Sequence, residues 1–416
     1  MTIFKEILKY NQGRLLNLYN QDTLSSKVGF GDRKYWAWKT IDFPNATFQS
    51  GVNALAISLS LGIAHDRELY FKIIDQVINA IPEVSNKNNS LNEAFPNENS
   101  YCVTALIAFD VLFAIDLLRN ELSTEKKDAY FKIIKPLIKH ILYHKEEHAI
   151  ISNHLATGAA ALYLWTELTG KDKDSYKTVL NLIFEHQSSE GWYMEYEGPD
   201  PGYQTLCTHY LSVLYSKTKD KRLKESLQKS LHYLYHFVHP DKTIGGLYGS
   251  RNTEVYYPGG LNLLASKSKE ARHIALHLNM GVAKGNAVLP QDIDADNYVP
   301  LLNSYALAAL YEDKVNLNDD DLIPFFKRGI QKNFEKSGIE LFSNSSYFSI
   351  LNYRKGGTLK VFNLSTSKCE FDSGGVFYFK NKKILTSQRH DPKIEKDNTG
   401  SFKINLHQYK EQYPSL

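Results

Sequence analysis

Helix-forming segments follow one another in pairs along most of this chain, and no other feature limits its possible folds so strongly. Apolar residues recur at helical spacing over Phe48–Gly62 and Glu68–Ile81, then Ser100–Leu122 and Glu125–Tyr143, then His154–Leu168 and Ser175–His186. The pattern continues through Tyr203–Ser216 with Arg222–Val238, Leu261–Ser266 with Glu270–Met280, and Val299–Tyr311 with Asp320–Phe334. A further helical segment, Ile3–Tyr19, precedes them, followed by an aromatic loop with Trp36, Trp38 and Phe43. The first member of a pair tends to be apolar with small residues, such as Ala54 and Ala56, or Ala156, Gly158, Ala159, Ala160 and Ala161. The second member is more charged. Such asymmetry predicts an inner ring of close-packed helices inside a solvated outer ring, an (α/α) toroid. An irregular bundle or solenoid is the plainer alternative.

Near Gly338 the texture changes to short runs of β-formers between Asn, Gly, Lys and Ser turns. Strands are expected over Ile339–Phe342, Tyr347–Tyr353, Thr358–Phe362, Gly375–Phe379 and Phe402–Leu406. The expected division is therefore a mainly α unit over 1–335 and a smaller β-rich unit over 336–416. Five or six strands are thin for an independent sandwich, so the β region is either a sheet lying on the toroid or an incomplete β module.

Composition excludes some classes of partner and leaves others open. With 49 Lys plus Arg against 46 Asp plus Glu, a net charge of +3 gives no argument for nucleic acid or a membrane surface. No segment approaches the roughly 20 apolar residues of a membrane span. Charged residues within Met1–Leu16 interrupt any signal-like apolar run, so a cytoplasmic location is expected. Cys102, Cys207 and Cys369 are far apart, which predicts buried structural thiols rather than a disulfide framework or zinc site. No phosphate-cradling glycine loop follows a strand, and no cofactor or metal is expected.

Polar chemistry gathers at predicted helix starts. Glu190–Tyr210 is an aromatic, acidic loop opening into a helix, with Gly198, Pro199, Pro201 and Gly202 forcing turns. Asn153 and His154 open another helix, Asn97, Glu98 and Tyr101 surround the start of an earlier one, and the Gly245–Gly260 loop with Arg251 precedes a third. In a toroid, successive inner-helix starts meet at one rim, where free N–H groups favour an anionic ligand. Elimination on a uronic acid suits these residue types. The carboxylate beside the departing proton must be neutralised, which Asn153 and Arg251 can do by hydrogen bonding. His154 and Tyr203 can share the base and acid tasks, the phenol being expected to have its pKa lowered by nearby cations. Trp192, Tyr193, Glu197, Asp200, Tyr256 and Tyr257 are candidate substrate contacts, and either of the last two tyrosines could stand in for Tyr203. Each candidate also has a plain structural role: Asn153 as a helix cap, His154 as a helix-start histidine, Arg251 as a surface ion-pair partner.

S-N-H-L-A-T-G-A-A-A-L, E-G-W-Y-M-E-Y-E-G-P-D-P-G-Y and G-S-R-N-T together resemble the heparinase II/III-type family and, more loosely, the toroidal alginate lyases. The resemblance is clearest over residues 90–265. It implies an incomplete (α/α) toroid joined to a β-sandwich and β-elimination on an acidic polysaccharide. It also implies neutralising and base roles for Asn153 and His154, an acid/base role for Tyr203 and a substrate contact for Arg251. The sandwich histidine common in such lyases would have to be His390 or His407. A uronyl C5-epimerase needs the same groups, and a non-catalytic glycan binder would use the aromatics and acids alone. Two histidine clusters compete for attention. His144–His148 fits H-x-x-E-H, a zinc-protease pattern that needs both histidines on one helix face. His232, His236 and His239 read as an outer-helix face.

Overall fold

The structure, a computed structural model, describes residues 3–315, 324–329, 331–373, 378–380, 383–386, 393–396, 402–405 and 409–410. Among them, helices follow as α1 (Ile3–Leu16), α2 (Arg33–Trp36), α3 (Val52–Ser60), α4 (Arg67–Asn79), α5 (Ile81–Val84), α6 (Tyr101–Leu117) and α7 (Thr124–Tyr143). After these come α8 (Ser152–Thr169), α9 (Ser175–His186), α10 (Pro201–Thr218), α11 (Lys221–Tyr235), α12 (Gly259–Leu264), α13 (Lys269–Lys284) and α14 (Ala295–Leu310).

The fold is an (α/α) toroid. Helices α3, α6, α8, α10, α12 and α14 pack each against the next, and α14 returns to α3, closing the ring. These inner helices are buried nearly all round; in α6 every residue from Val103 to Ile115 is buried, as expected of a helix with no solvated stripe. The outer helices α4, α7, α9, α11 and α13 bury one face only. In α11 that face is Leu223, Leu227, Leu231 and Leu234, at helical spacing.

The sixth outer helix differs from expectation. Instead of a helix over Asp320–Phe334, the described part of that stretch holds a 3-10 turn (Phe325–Lys327) and a strand; Pro324 and Gly329 punctuate it. The outer partner of α14 is α1, from the opposite end of the chain. Phe4 N–H donates to Glu312 Oε1 at 3.0 Å, the Phe4 ring meets Tyr305 edge-on, and Arg14 lies 3.9 Å from the Tyr298 ring centroid. At the closing seam, the buried Asp110 of α6 accepts from Asn53 of α3 at 2.5 Å and from Asn303 of α14 at 3.2 Å. Asn303 also bonds Ser50 O at 3.0 Å and accepts from Ala54 N at 3.2 Å.

Five antiparallel strands, β1 (Gln331–Phe334), β2 (Ile339–Ser343), β3 (Tyr347–Asn352), β4 (Thr358–Asn363) and β5 (Lys368–Ser373), form a meander in chain order. β1 and β5 extend the sheet beyond the strands expected from sequence. Period-2 alternation turns Phe348, Ile350 and Asn352 of β3, with Thr358, Lys360 and Phe362 of β4, to one buried face. That face lies on the toroid: Phe334 packs on Tyr233, His236 and Phe237, and Asn352 Nδ2 donates to Tyr248 O at 2.8 Å. Residues 378–380, 383–386 and 409–410 pair in a second sheet, and 393–396 with 402–405 in a hairpin. Of the expected strands beyond β5, residues 375–377 and 406 lie outside the described residues, as do His390 and His407.

No helix among the described residues is long and apolar enough to cross a membrane. Cys207 is buried and Cys102 half-buried, but Cys369 stands exposed on β5, contrary to the expectation of three buried thiols. Removing one amide of the seam leaves buried donors and acceptors without partners. Asn303→Ala should therefore lower unfolding stability by about 2–3 kcal/mol in a urea titration, and much more than Asn297→Ala at the exposed start of the same helix.

Candidate active site

Inner-helix starts surround one cleft of about 190 Å³. Its lining includes Ser100 and Cys102 at the start of α6, Asn153 and His154 of α8, Tyr203 of α10, and Asp296 and Asn297 of α14. Arg251 and Tyr257 enter from the loop before α12, and Glu93, Glu98, Glu146 and His148 from loops before α6 and α8.

Local chemistry sets each group. α10 starts where it does because Asp200 caps it and Pro201, with no N–H to lose, takes the first helical position. Asp200 Oδ1 accepts from Tyr203 N at 3.0 Å, while Oδ2 accepts from Arg251 N at 2.9 Å and Thr253 N at 3.3 Å. One buried carboxylate thus ties the helix carrying Tyr203 to the loop carrying Arg251. The loop also requires Gly245: its φ is +82°, and a Cβ there would sit 2.0 Å from Thr253 O. Held this way, the Arg251 guanidinium lies 4.0 Å from the Tyr203 ring centroid and 4.8 Å from that of Tyr196. No carboxylate among the described residues forms an ion pair with Arg251, so the expected plain role as an ion-pair partner does not hold.

α8 has no side chain capping its own start. Glu195 supplies the acceptors from the neighbouring loop: Oε1 receives Asn153 N–H at 3.1 Å and Oε2 the Asn153 side-chain amide at 2.8 Å. That leaves the second amide hydrogen of Asn153 uncommitted to Glu195. Burial pushes Glu195 up to about 8, against the opposing pull of Asn153 and Arg251.

His154 Nδ1 lies 2.5 Å from Glu146 Oε2, and Glu146 Oε1 lies 2.9 Å from His148 Nδ1. Burial alone would raise Glu146, but hydrogen bonds from His154 and His148, with the charge of His154 when it is protonated, hold it down at about 2. An ionised carboxylate only accepts, so His154 Nδ1 carries a proton and donates it, leaving Nε2 as the ring's other nitrogen. Tyr203 corrects a sequence expectation. Burial outweighs Arg251, and the phenol is pushed up to about 12 rather than lowered.

Several candidate contacts lie elsewhere. Tyr193 is fully buried with its hydroxyl 2.8 Å from Ser226 Oγ, and Tyr256 is buried donating to Asn279. Trp192 donates to Glu190 Oε2, whose carboxylate also receives the Lys336 and Ser337 N–H groups of the β1–β2 turn; it braces the sheet. Asp200 is the buried strut described above. Tyr101 is buried against Gly158, where a Cβ would meet its hydroxyl at 2.4 Å. Asn97 and Glu197 are exposed and do not line the cleft. Asn153, His154, Tyr203, Arg251, Glu98 and Tyr257 do line it. Sequence reasoning left out Glu93, Glu146, His148 and Asp296. The H-x-x-E-H spacing did mark the right segment, but α7 ends at Tyr143, so His144 and His148 share no helix face. His232 and His236 do belong to the end of the outer helix α11, with His236 buried against Phe325, while His239 lies beyond that helix, buried against Tyr248.

Fold and cleft together define an (α/α) toroid whose inner-helix starts converge on one polar, arginine-bearing hollow. No family model and no curated protein matches the sequence. Solved structures do match the fold. A Paenibacillus xanthan lyase superposes with TM-score 0.59 at 10% identity, covering 97% of this chain and 42% of that one. The Streptomyces coelicolor A3 chondroitin AC lyase gives 0.55 at 10% identity, covering 86% and 54%, and heparinase III gives 0.53 at 14%, covering 85% and 57%. The chain thus spans about half the length of these structures, and at such identities the likeness is one of fold.

Glu195 makes stability at the α8 start depend on pH. Its folded pKa of about 8 lies above the ordinary 4.5, so its contribution is full below about pH 4.5 and is lost as pH rises through about 8. The thermal midpoint of the wild type should therefore fall between pH 5 and 8 relative to that of Glu195→Gln, measured by circular dichroism.

Proposed function

We propose that this protein is a polysaccharide lyase-like enzyme that removes the C5 proton of a uronic acid residue and eliminates the O4 substituent. The observation carrying this reading is the Arg251 guanidinium, without an ion-pair partner among the described residues and stacked on the phenol of Tyr203 beside Asn153 and His154. An unpaired cation in a cleft is a receptor for an anion, and a guanidinium matches a carboxylate in geometry.

In this reading Arg251 and the free amide hydrogen of Asn153 hold the substrate carboxylate. In its neutral form, protonated at Nδ1 alone, His154 takes the C5 proton at Nε2, and the electron pair spreads onto the neutralised carboxylate. The C4–O4 bond then breaks, a C4=C5 double bond forms, and Tyr203, a protonated phenol at neutral pH, gives its proton to the leaving oxygen. Glu146 is a positioning residue that fixes the tautomer and orientation of His154, as a carboxylate does behind a catalytic imidazole. The similarity of fold to a xanthan lyase, a chondroitin AC lyase and heparinase III supports a glycan substrate.

Elimination makes a conjugated double bond, so ultraviolet absorbance with a panel of uronate polysaccharides is the test. Wild type should give a rise that Tyr203→Phe, His154→Ala and Arg251→Ala each reduce by about a hundredfold to ten-thousandfold. No rise with any polymer sinks the reading; solvent deuterium appearing at C5 without a rise would instead mean epimerisation. Glu146→Gln should lower kcat with little change in KM and alter the pH profile of kcat, which mere loosening of the loop would not do.

A further inference from the structure

The charge lining the cleft limits which acidic glycans it can hold, given the uronate reading above. Arg251 is the single Lys or Arg among the described lining residues, set among four carboxylates, those of Glu93, Glu98, Glu146 and Asp296. Two of the four are matched locally. Asp296 pairs with Lys34 at 2.9 Å, and Glu146 is engaged by His154 and His148. Glu93 and Glu98 are not matched in this way. Glu98 Oε2 accepts the Glu93 and Ala94 N–H groups at 2.8 Å each, which folds the 93–98 loop around it. Burial, with the Glu98 charge second, pushes Glu93 up to about 7, against the pull of Arg251. The Glu93 side chain has no hydrogen-bond partner in the described structure, yet it lines the cleft. Carboxyl groups placed this way bond sugar hydroxyls well, and once ionised, which for Glu93 means above about pH 7, they repel sulfate or a second uronate where water is scarce.

We infer that the cleft takes a glycan of low charge density, in which a uronate held by Arg251 is flanked by uncharged sugars whose hydroxyls meet Glu93 and Glu98, and that it rejects sulfated chains. Long-range attraction for a polyanion is not offered by the lining, and one cation provides one anionic subsite. The selection is made by repulsion at the flanking position as much as by attraction at the central one.

The test is calorimetric binding of Tyr203→Phe protein to unsulfated chondroitin and to the sulfated form of the same backbone, at low salt and about pH 8, where Glu93 is ionised. The unsulfated polymer should bind at least about tenfold tighter, the scale of one added like-charge contact near a protein surface, and added salt should narrow the gap. Glu93→Gln with Glu98→Gln should also narrow it, raising affinity for the sulfated polymer. Equal or tighter binding of the sulfated polymer, or a gap that the double substitution leaves unchanged, overturns the inference. Selective binding of the unsulfated chain, with no absorbance rise in the wild type, would overturn the elimination reading and leave this one standing.

Discussion

The cleft depends on one buried carboxylate that does not itself line it. Asp200 caps α10 and, through its second oxygen, holds the backbone of the Arg251 loop. It joins the segment of Tyr203 to that of Arg251, and Ser250 N–H donating to Pro199 O at 2.8 Å and Tyr257 N–H donating to Thr205 Oγ1 at 3.0 Å reinforce the link. A carboxylate wholly removed from water is costly unless its lone pairs are filled, and here three backbone N–H groups fill them. The same device appears at α8, where Glu195 receives the helix-start N–H and the side chain of Asn153. The sheet adds a third support: Asn352 and Lys355 bond the backbone of the 248–249 turn, and Lys360 pairs with Glu254 at 2.8 Å. The β region therefore bears on the site from behind, through the loop that carries Arg251.

Ring closure explains why the site lies where it does. Six inner helices with starts at one rim bring residues as distant as Thr47 and Asn297 to the same hollow. Closure needs α14 to meet α3, and the polar seam of Asp110, Asn53 and Asn303 makes that contact specific in register.

Much of this was legible in the sequence. Small residues such as Ala156, Ala159 and Ala160 marked the inner helices, and the shared position of Asn153, Tyr203 and Arg251 at helix starts marked the cleft. What could not be read was non-local. Nothing in Ile3–Leu16 says that it will cover α14, because the pairing joins opposite ends of the chain. Aromatics crowding two loops looked alike, yet Tyr193 and Tyr256 turn inward while Tyr203 and Tyr257 face the cleft. Burial decides the phenol pKa as well: nearby cations were expected to lower Tyr203, and desolvation outweighs the one beside it, Arg251. Glu146 was visible only as part of a zinc-like spacing, since its partner His154 lies across a helix boundary.

The central claim is that the bond breaks by elimination rather than by attack of water. Cleavage products formed in heavy-oxygen water and weighed by mass spectrometry test it most directly. Elimination predicts a new unsaturated end one water lighter than a hydrolysis product, with no heavy oxygen at the new reducing end. Heavy oxygen incorporated at that end would contradict the account and assign the chemistry to the cleft's carboxylates as a hydrolase.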